Sequence, residues 1–494
     1  MLEIVDHLGY AQGRHKHPST APMTQPDLVI PIRSRAEERA ILTVTCLAAF
    51  LFFNSFGSIG VALPAIQKQF GNRLSEIQWI TLMGVVTIST LSFCFGRAGG
   101  RFGQRRLYKV GVALYAAGAG LGGISTSFVQ LLGARAVMAL GLAMALPMST
   151  AILAASFEPK RRGQVLGLFA SAVAIGRMTG PALGGFLLEF GGWPWIFWMN
   201  FILGLAVTLA VLKFFRGPGE YRVEVFDTWG ALALLIGYPA LLIALTFGGT
   251  LGWLAAPVIG SFALAALGLV GFVWIELHAV KPLIDVAIFR DPLLAGALVT
   301  IVLSHLINHP IALAAPLYLQ NVLGASGLLS GLILAILPLS NALASPLGGR
   351  LADRVDARTI NGFGVALLVL GIACYATLGT ASHLSLVGVV LAVIGAGIGF
   401  FTPASQKIAF ASVRQEDYGV LAAMLSSFGT AAGTIGITIT VALMDAASGS
   451  QLWHSPAAYA AAQQFAFACL VPVGLVAIGV ALKCGRGAAS NSTH

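Results

Sequence analysis

Charged residues are so sparse along this chain that the uncharged runs between them can be read as elements. Arg39 to Lys68, Glu76 to Arg97, Lys109 to Arg135 and Arg135 to Glu158 enclose the first four apolar runs. Arg162 to Glu189 holds a fifth, interrupted only by Arg177, and Glu189 to Lys213 a sixth. Three longer gaps each hold two runs. Asp227 to Glu276 breaks at Gly248-Gly249-Thr250-Leu251-Gly252-Trp253, and Asp291 to Arg350 breaks around Gln320-Asn321-Val322-Leu323-Gly324. Arg358 to Lys407 breaks at Gly379-Thr380-Ala381-Ser382-His383. Asp417 to Asp445 and the apolar stretch 463–482 complete the series. A bilayer-spanning helix needs about 20 apolar residues, whereas barrel strands are about 10 residues of alternating polarity. The pattern predicts an all-α polytopic membrane protein with fourteen transmembrane helices.

Composition agrees with the pattern. Of 494 residues, 57% are apolar and only 10% are charged, and the mean hydropathy is +0.86. A soluble protein carries roughly 25% charged residues, so this chain cannot cover a water-facing surface with charge. That argues against a soluble enzyme and a secreted disulfide scaffold. Five scattered cysteines (Cys46, Cys94, Cys374, Cys469, Cys484) show no metal or redox spacing and read as small apolar filler.

The net charge of +10 is a matter of orientation. With both termini placed in the cytoplasm, all 29 Lys and Arg residues fall on the cytoplasmic side except four: Lys68 and Arg73 in outer loops, Arg135 and Arg177 within spans. Positive residues collect on the cytoplasmic side of membrane proteins, so the pattern predicts a multi-pass protein of the cell membrane with both termini inside and no nucleic-acid partner. Residues 1–40 read as a disordered cytoplasmic tail and 484–494 as a second short tail.

Two loops repeat related text. Gly96-Arg97-Ala98-Gly99-Gly100-Arg101-Phe102-Gly103-Gln104-Arg105-Arg106 follows span 2, and Gly349-Arg350-Leu351-Ala352-Asp353-Arg354-Val355-Asp356-Ala357-Arg358 follows span 10. Short basic loops recurring at matching places are a mark of duplicated transporter folds. In span 5, Gly176, Gly180 and Gly184 recur every four residues, with Pro181 and Gly185 between and after them. Such a stripe lets another helix backbone approach closely, and the proline permits a bend.

The loops resemble the basic-loop signature of the major facilitator superfamily. Gly167, Gly176, Gly180-Pro181 and Gly184-Gly185 are similar to the antiporter motif of its fourteen-span drug–proton antiporter branch. Val61-Ala62-Leu63-Pro64 closing span 1, Arg135 with Gly141 and Pro147 in span 4, Trp193-Pro194-Trp195-Ile196-Phe197 opening span 6, and Tyr318-Leu319-Gln320-Asn321-Val322-Leu323-Gly324 after span 9 extend the resemblance over nearly the whole chain. It implies two pseudo-symmetric six-helix bundles, 41–214 and 293–483, with an inserted helix pair at 228–277. It also implies alternating access, export of a small organic compound or antibiotic in exchange for protons, and a monomer with no cofactor. Arg101, Asp353 and Arg354 would then form cytoplasmic gate contacts.

The chain departs from the family pattern where proton coupling is concerned. The Asp that relatives carry in span 1 aligns with Ser55, and Gly100 stands where the first loop would carry its Asp. All 19 acidic residues fall in tails, loops or span ends. The polar groups at depth are instead basic or neutral. His305, Asn308 and His309 share one helix face by their i, i+3, i+4 spacing, just before Pro310. Histidine exchanges protons near neutrality, so His305 and His309 are candidates for coupling, with Arg177 as a fixed charge nearby. Packing is the competing reading for both histidines and for Arg177. No third ligand accompanies the histidines, so no metal site is implied. Asn54, Ser55 and Ser58, beside Phe50, Phe52, Phe53 and Phe56, are candidates for the substrate pathway together with Arg135, His305 and Asn308; lipid contact is the alternative for the aromatic residues. Two rival functions stand beside export: an anion or metabolite carrier without carboxylate-based coupling, and a membrane-embedded enzyme or sensor.

Overall fold

A computed structural model describes residues 35–157, 159–215, 228–278, 291–411, 418–448 and 455–483. Fifteen helices occur among the described residues. The first eight are α1 (Arg35–Phe70), α2 (Leu74–Phe102), α3 (Gln104–Gly123), α4 (Phe128–Ser156), α5 (Pro159–Gly191), α6 (Pro194–Phe214), α7 (Thr228–Leu251) and α8 (Ala256–His278). The rest are α9 (Pro292–Asn308), the short α10 (Ile311–Leu317), α11 (Gly327–Arg354), α12 (Ala357–Tyr375), α13 (Leu384–Ala411), α14 (Tyr418–Ser448) and α15 (Pro456–Lys483). Ten stretches are long and apolar enough to cross a membrane. The all-helical, membrane-crossing architecture read from the charge gaps is therefore present.

Helix ends follow local chemistry. Glu76 accepts from the Arg73 backbone N–H at 3.1 Å where α2 begins, and Ser127, Asp291, Ser326 and Asp356 accept from backbone N–H groups at the starts of α4, α9, α11 and α12. Pro194 and Pro292 occupy first-turn positions, where a missing N–H costs nothing. Span 9 is broken by Pro310 into α9 and α10 and continues into a π-helical turn at Tyr318–Val322. Two boundaries differ from expectation. Arg35–Ala40, assigned to the tail by composition, are already helical, with Glu37 and Glu38 in a first turn that favours negative charge. Likewise α15 begins at Pro456, ahead of the apolar stretch. Charge gaps mark only the membrane-embedded part of a helix that continues into water.

Each half of the chain shows its own set of packings. In the first, α1 packs on α5 and α6, α3 on α4 and α6, and α2 on α4. In the second, α9 packs on α14 and α15, α12 on α13 and α15, and α11 on α13. The sets meet chiefly through α5 with α11, α2 with α14, and α1 with α10. The α7–α8 hairpin sits outside, close-packed through Gly237 on Gly268, with α7 against α2 and α14. Tyr238 Oη donates to the Ala431 carbonyl at 3.3 Å, and Gln78 Nε2 to Thr246 at 3.5 Å. Leu267, Val270, Val273 and Trp274 of α8 are all exposed, the outward apolar surface expected of a helix facing lipid.

Candidate functional site

Below, the near end is the one where α1 starts at Arg35, and the far end the one it reaches at Phe70. The glycine stripe of α5 forms the tightest joint in the first half. A methyl group added at Gly176 would strike the Phe50 carbonyl, at Gly180 the Asn54 carbonyl, and at Gly184 the Ser58 backbone. Gly57 has the reciprocal role, since a side chain there would run into the Pro181 ring. On its other side α5 meets α11, where Gly185 faces the Gly327 carbonyl and Gly331 faces the Pro181 carbonyl.

This joint corrects the expected polar wall of span 1. Asn54, Ser55 and Ser58 are all buried. Asn54 Nδ2 donates to Thr179 Oγ1 at 3.0 Å, and Ser58 Oγ to the Gly180 carbonyl at 2.8 Å. Once helices approach this closely, polar side chains between them must bond locally; Asn54 and Ser58 are committed to packing, and Ser55 is buried beside them.

Arg177 is placed differently. At about 100° per residue, Leu168, Ile175, Leu183, Phe186 and Phe190 share one side of α5, and all are exposed as lipid-facing residues would be. Arg177 lies on the opposite side and is also exposed, together with Ala170 and Ala174 toward the near end. Beyond it Gly180, Pro181, Gly184 and Gly185 are buried. The side of α5 opposite its lipid-like face is therefore left uncovered by packing on the near half and closed by packing on the far half. The Arg177 guanidinium lies 4.7 Å from the centre of the Phe53 ring. Arg135 is sequestered instead: it is 4% exposed, and its Nε donates to the Ile80 carbonyl at 3.0 Å.

His305 and His309 stack with ring centres 5.1 Å apart. Their Nδ1 atoms lie 2.9 and 3.1 Å from the carbonyls of Ile301 and His305, one turn back on the same helix. A carbonyl only accepts, so Nδ1 carries the hydrogen and Nε2 is left to take a proton. Both rings are half-buried. Asn308, by contrast, donates to the Ser304 carbonyl of its own helix at 3.2 Å. The rings fit against α14 because Gly429 faces His305 and Gly433 faces His309, and a methyl group on either would press on the imidazole. Phe401 of α13 meets His305 edge-on at 6.1 Å. The four-residue spacing of Gly429 and Gly433 signals this seat in the sequence, but it was not read there.

The ends of the molecule differ. At the near end, ion pairs among the described residues lie within one half, such as Arg161 with Glu38 at 3.0 Å and Lys407 with Asp353 at 2.7 Å. The expected gate contact of Asp353 is thus to Lys407 of α13, which also donates to the Ala352 carbonyl at 2.7 Å; Arg354 is exposed beside it. The Arg101 side chain lies outside the described residues. At the far end the halves are bonded together. Gln320 Nε2 donates to the Val61 carbonyl at 2.8 Å, and Glu189 Oε2 accepts from the Leu328 N–H at the start of α11 at 3.1 Å.

A membrane protein with such a face left uncovered toward one end only, and with titratable groups at mid-span, has the plan of a carrier. The family profile of the Major Facilitator Superfamily matches residues 45–437 and 293–484. The chain is 31% identical over 402 residues to the multidrug resistance protein Stp of Mycobacterium tuberculosis, a match covering 81% of this chain and 74% of that one. It is 26% identical over 424 residues to the multidrug transporter protein MdtP of Bacillus subtilis, covering 84% and 77%. Among solved structures, an inward-facing, unoccupied bacterial homologue of the human lysosomal transporter Spinster superposes with a TM-score of 0.68 at 14% identity, covering 92% of this chain and 98% of that one. An auto-inhibited peptide transporter of the POT family gives 0.69 at 16%, covering 90% and 96%; these two likenesses concern the fold. The chain belongs to the Major Facilitator Superfamily, and it is a secondary active transporter and not an enzyme.

Proposed function

We propose that this protein exports a small organic compound, such as an antibiotic or other toxic amphiphile, across the cell membrane in exchange for protons. The near end faces the cytoplasm, a reading that the distribution of Lys and Arg supports. The described conformation is then open inward and sealed outward. The chain acts as a monomer of fourteen spans. Two six-helix bundles are related by pseudo-symmetry, because the pairings α1–α5, α3–α4, α3–α6 and α2–α4 recur as α9–α14, α12–α13, α12–α15 and α11–α13. Alternating access follows from rocking these bundles about a midplane site at the Arg177 level of α5.

The observation carrying this reading is the one-sided packing along the side of α5 opposite its lipid-like face, with Arg177 at the boundary between its uncovered and closed halves. Multidrug resistance names among the relatives support a drug-like cargo. Nε2 of His305 and His309 supplies the proton-accepting groups that no carboxylate at depth provides. In a pump-deficient host, expression should raise the inhibitory concentration of at least one amphiphilic drug, and a protonophore should remove that protection. Protection that persists undiminished under the protonophore would refute the coupling.

A further inference from the structure

The charges facing the middle of this molecule are of one sign. Every acid on a described helix stands within three residues of a helix end, Glu38 at the start of α1 and Asp445 at the end of α14 being the furthest in. Arg177 stands near the middle of the 33-residue α5, on the side opposite its lipid-like face, with its side chain not covered by packing. Among the described residues, the ion pairs are Arg161–Glu38, Arg358–Asp356 and Lys407–Asp353, and none reaches Arg177. The group that engages it is the face of Phe53, itself 6.2 Å from Phe56. Arg135 does not compete for a ligand, since it is buried against the Ile80 carbonyl.

An intramembrane guanidinium is costly unless it meets a cavity or a counter-charge. Its planar fork fits a carboxylate or sulfonate through two parallel hydrogen bonds. Beside it, Phe53 and Phe56 offer an apolar surface for the body of such a molecule. His305 Nε2, left unbonded by its own helix, adds a second polar group on the opposite bundle.

We infer that the cargo is an organic anion, an aromatic or other apolar body carrying a carboxylate or sulfonate, whose negative charge pairs with Arg177. The cargo supplies the counter-charge that the chain itself omits at depth. This rests on the export reading but is tested apart from it.

The test uses the full-length purified protein and three molecules with one body: 2-naphthoate, 2-naphthamide and 2-naphthylmethylamine. Thermal unfolding in detergent should shift upward, saturably, with the naphthoate, and little with the amide or the amine. Arg177→Gln should unfold at the wild-type temperature without ligand and bind the naphthoate about tenfold more weakly or worse. Arg177→Lys should retain part of the affinity. Equal or stronger stabilisation by the amine, a flat response to all three, or an unchanged response in Arg177→Gln each overturns the anion assignment. Proteoliposome transport separates the two claims. Naphthoate that binds through Arg177 yet is never moved would sink the export reading and leave the anion site standing. Transport of the amine in preference would do the reverse.

Discussion

The joint of α1 with α5 and the joint of α9 with α14 use the same device to opposite ends. Each carries glycines at helical spacing on the second helix: Gly176, Gly180 and Gly184 on α5, and Gly429, Gly433 and Gly436 on α14. On α5 all three meet backbone, at Phe50, Asn54 and Ser58, and the polar side chains between the helices are consumed by the contact. On α14 only Gly436 meets backbone, at Leu306, while Gly429 and Gly433 make room for two imidazole rings. A small residue can thus serve to seat a main chain or to house a side chain. The first joint is a close-packed seam, and the second leaves room for two imidazole rings.

Several substitutions would break or sharpen that contrast. The largest effect is expected at Gly180. A leucine there has backbone on two sides, the Asn54 carbonyl and Gly57 Cα, and neither can yield as a flexible side chain would. Gly180→Leu should abolish transport and lower the amount of folded protein recovered from membranes, with Gly180→Ala milder. Overpacking of this kind costs about 1–3 kcal/mol or more. Full transport by the leucine variant would mean the seam is not close-packed.

Next comes Gly433. Its neighbour is the His309 ring, so Gly433→Ala should displace the imidazole while leaving the helices joined. Transport should persist at reduced rate, with a weaker response to a pH gradient. Identical pH responses in the alanine variant and the wild type would remove the distinction between the two joints.

The far-end seal should respond more gently. Glu189→Gln replaces a carboxylate at the start of α11 by a neutral acceptor and weakens both the hydrogen bond to Leu328 and the favourable interaction with the helix terminus. A cysteine introduced at Val61 should then react with an impermeant thiol reagent a few-fold faster. An unchanged labelling rate would show that Gln320 and the glycine contacts hold that end without Glu189. The smallest effect is expected at Asp353→Asn. The Lys407–Asp353 pair is largely exposed, and such pairs contribute about 0–1 kcal/mol. Lys407 also keeps its bond to the Ala352 carbonyl. Transport should fall by about twofold or less.

Much of this arrangement is legible in the sequence. Gaps between charges located the spans, and a four-residue glycine repeat in span 5 foretold a close helix contact. The i, i+4 spacing put His305 and His309 on one face. What spacing could not supply was rotational phase, meaning which neighbour each face meets. Asn54, Ser55 and Ser58 were read as pathway-lining residues because they are polar at depth, yet the glycine seam turns them into packing. The Gly429–Gly433 repeat carried the same signal as span 5, but its meaning depends on the histidines opposite, over a hundred residues away in the chain. Lys407, Glu189 and Gln320 were missed for a similar reason. Each is an ordinary polar residue near a helix end, and only the fold shows what it reaches.

The central claim is that the imidazoles on α9 carry the protons that drive export. Its most direct test is transport in proteoliposomes under an imposed pH gradient, comparing wild type with the double variant His305→Asn, His309→Asn. Substrate binding should be retained, because the asparagines keep polarity and approximate size, while the dependence of the transport rate on the gradient should vanish. A double variant that follows the gradient as the wild type does would show that the histidines only fill space against Gly429 and Gly433, and that the protons travel by another route.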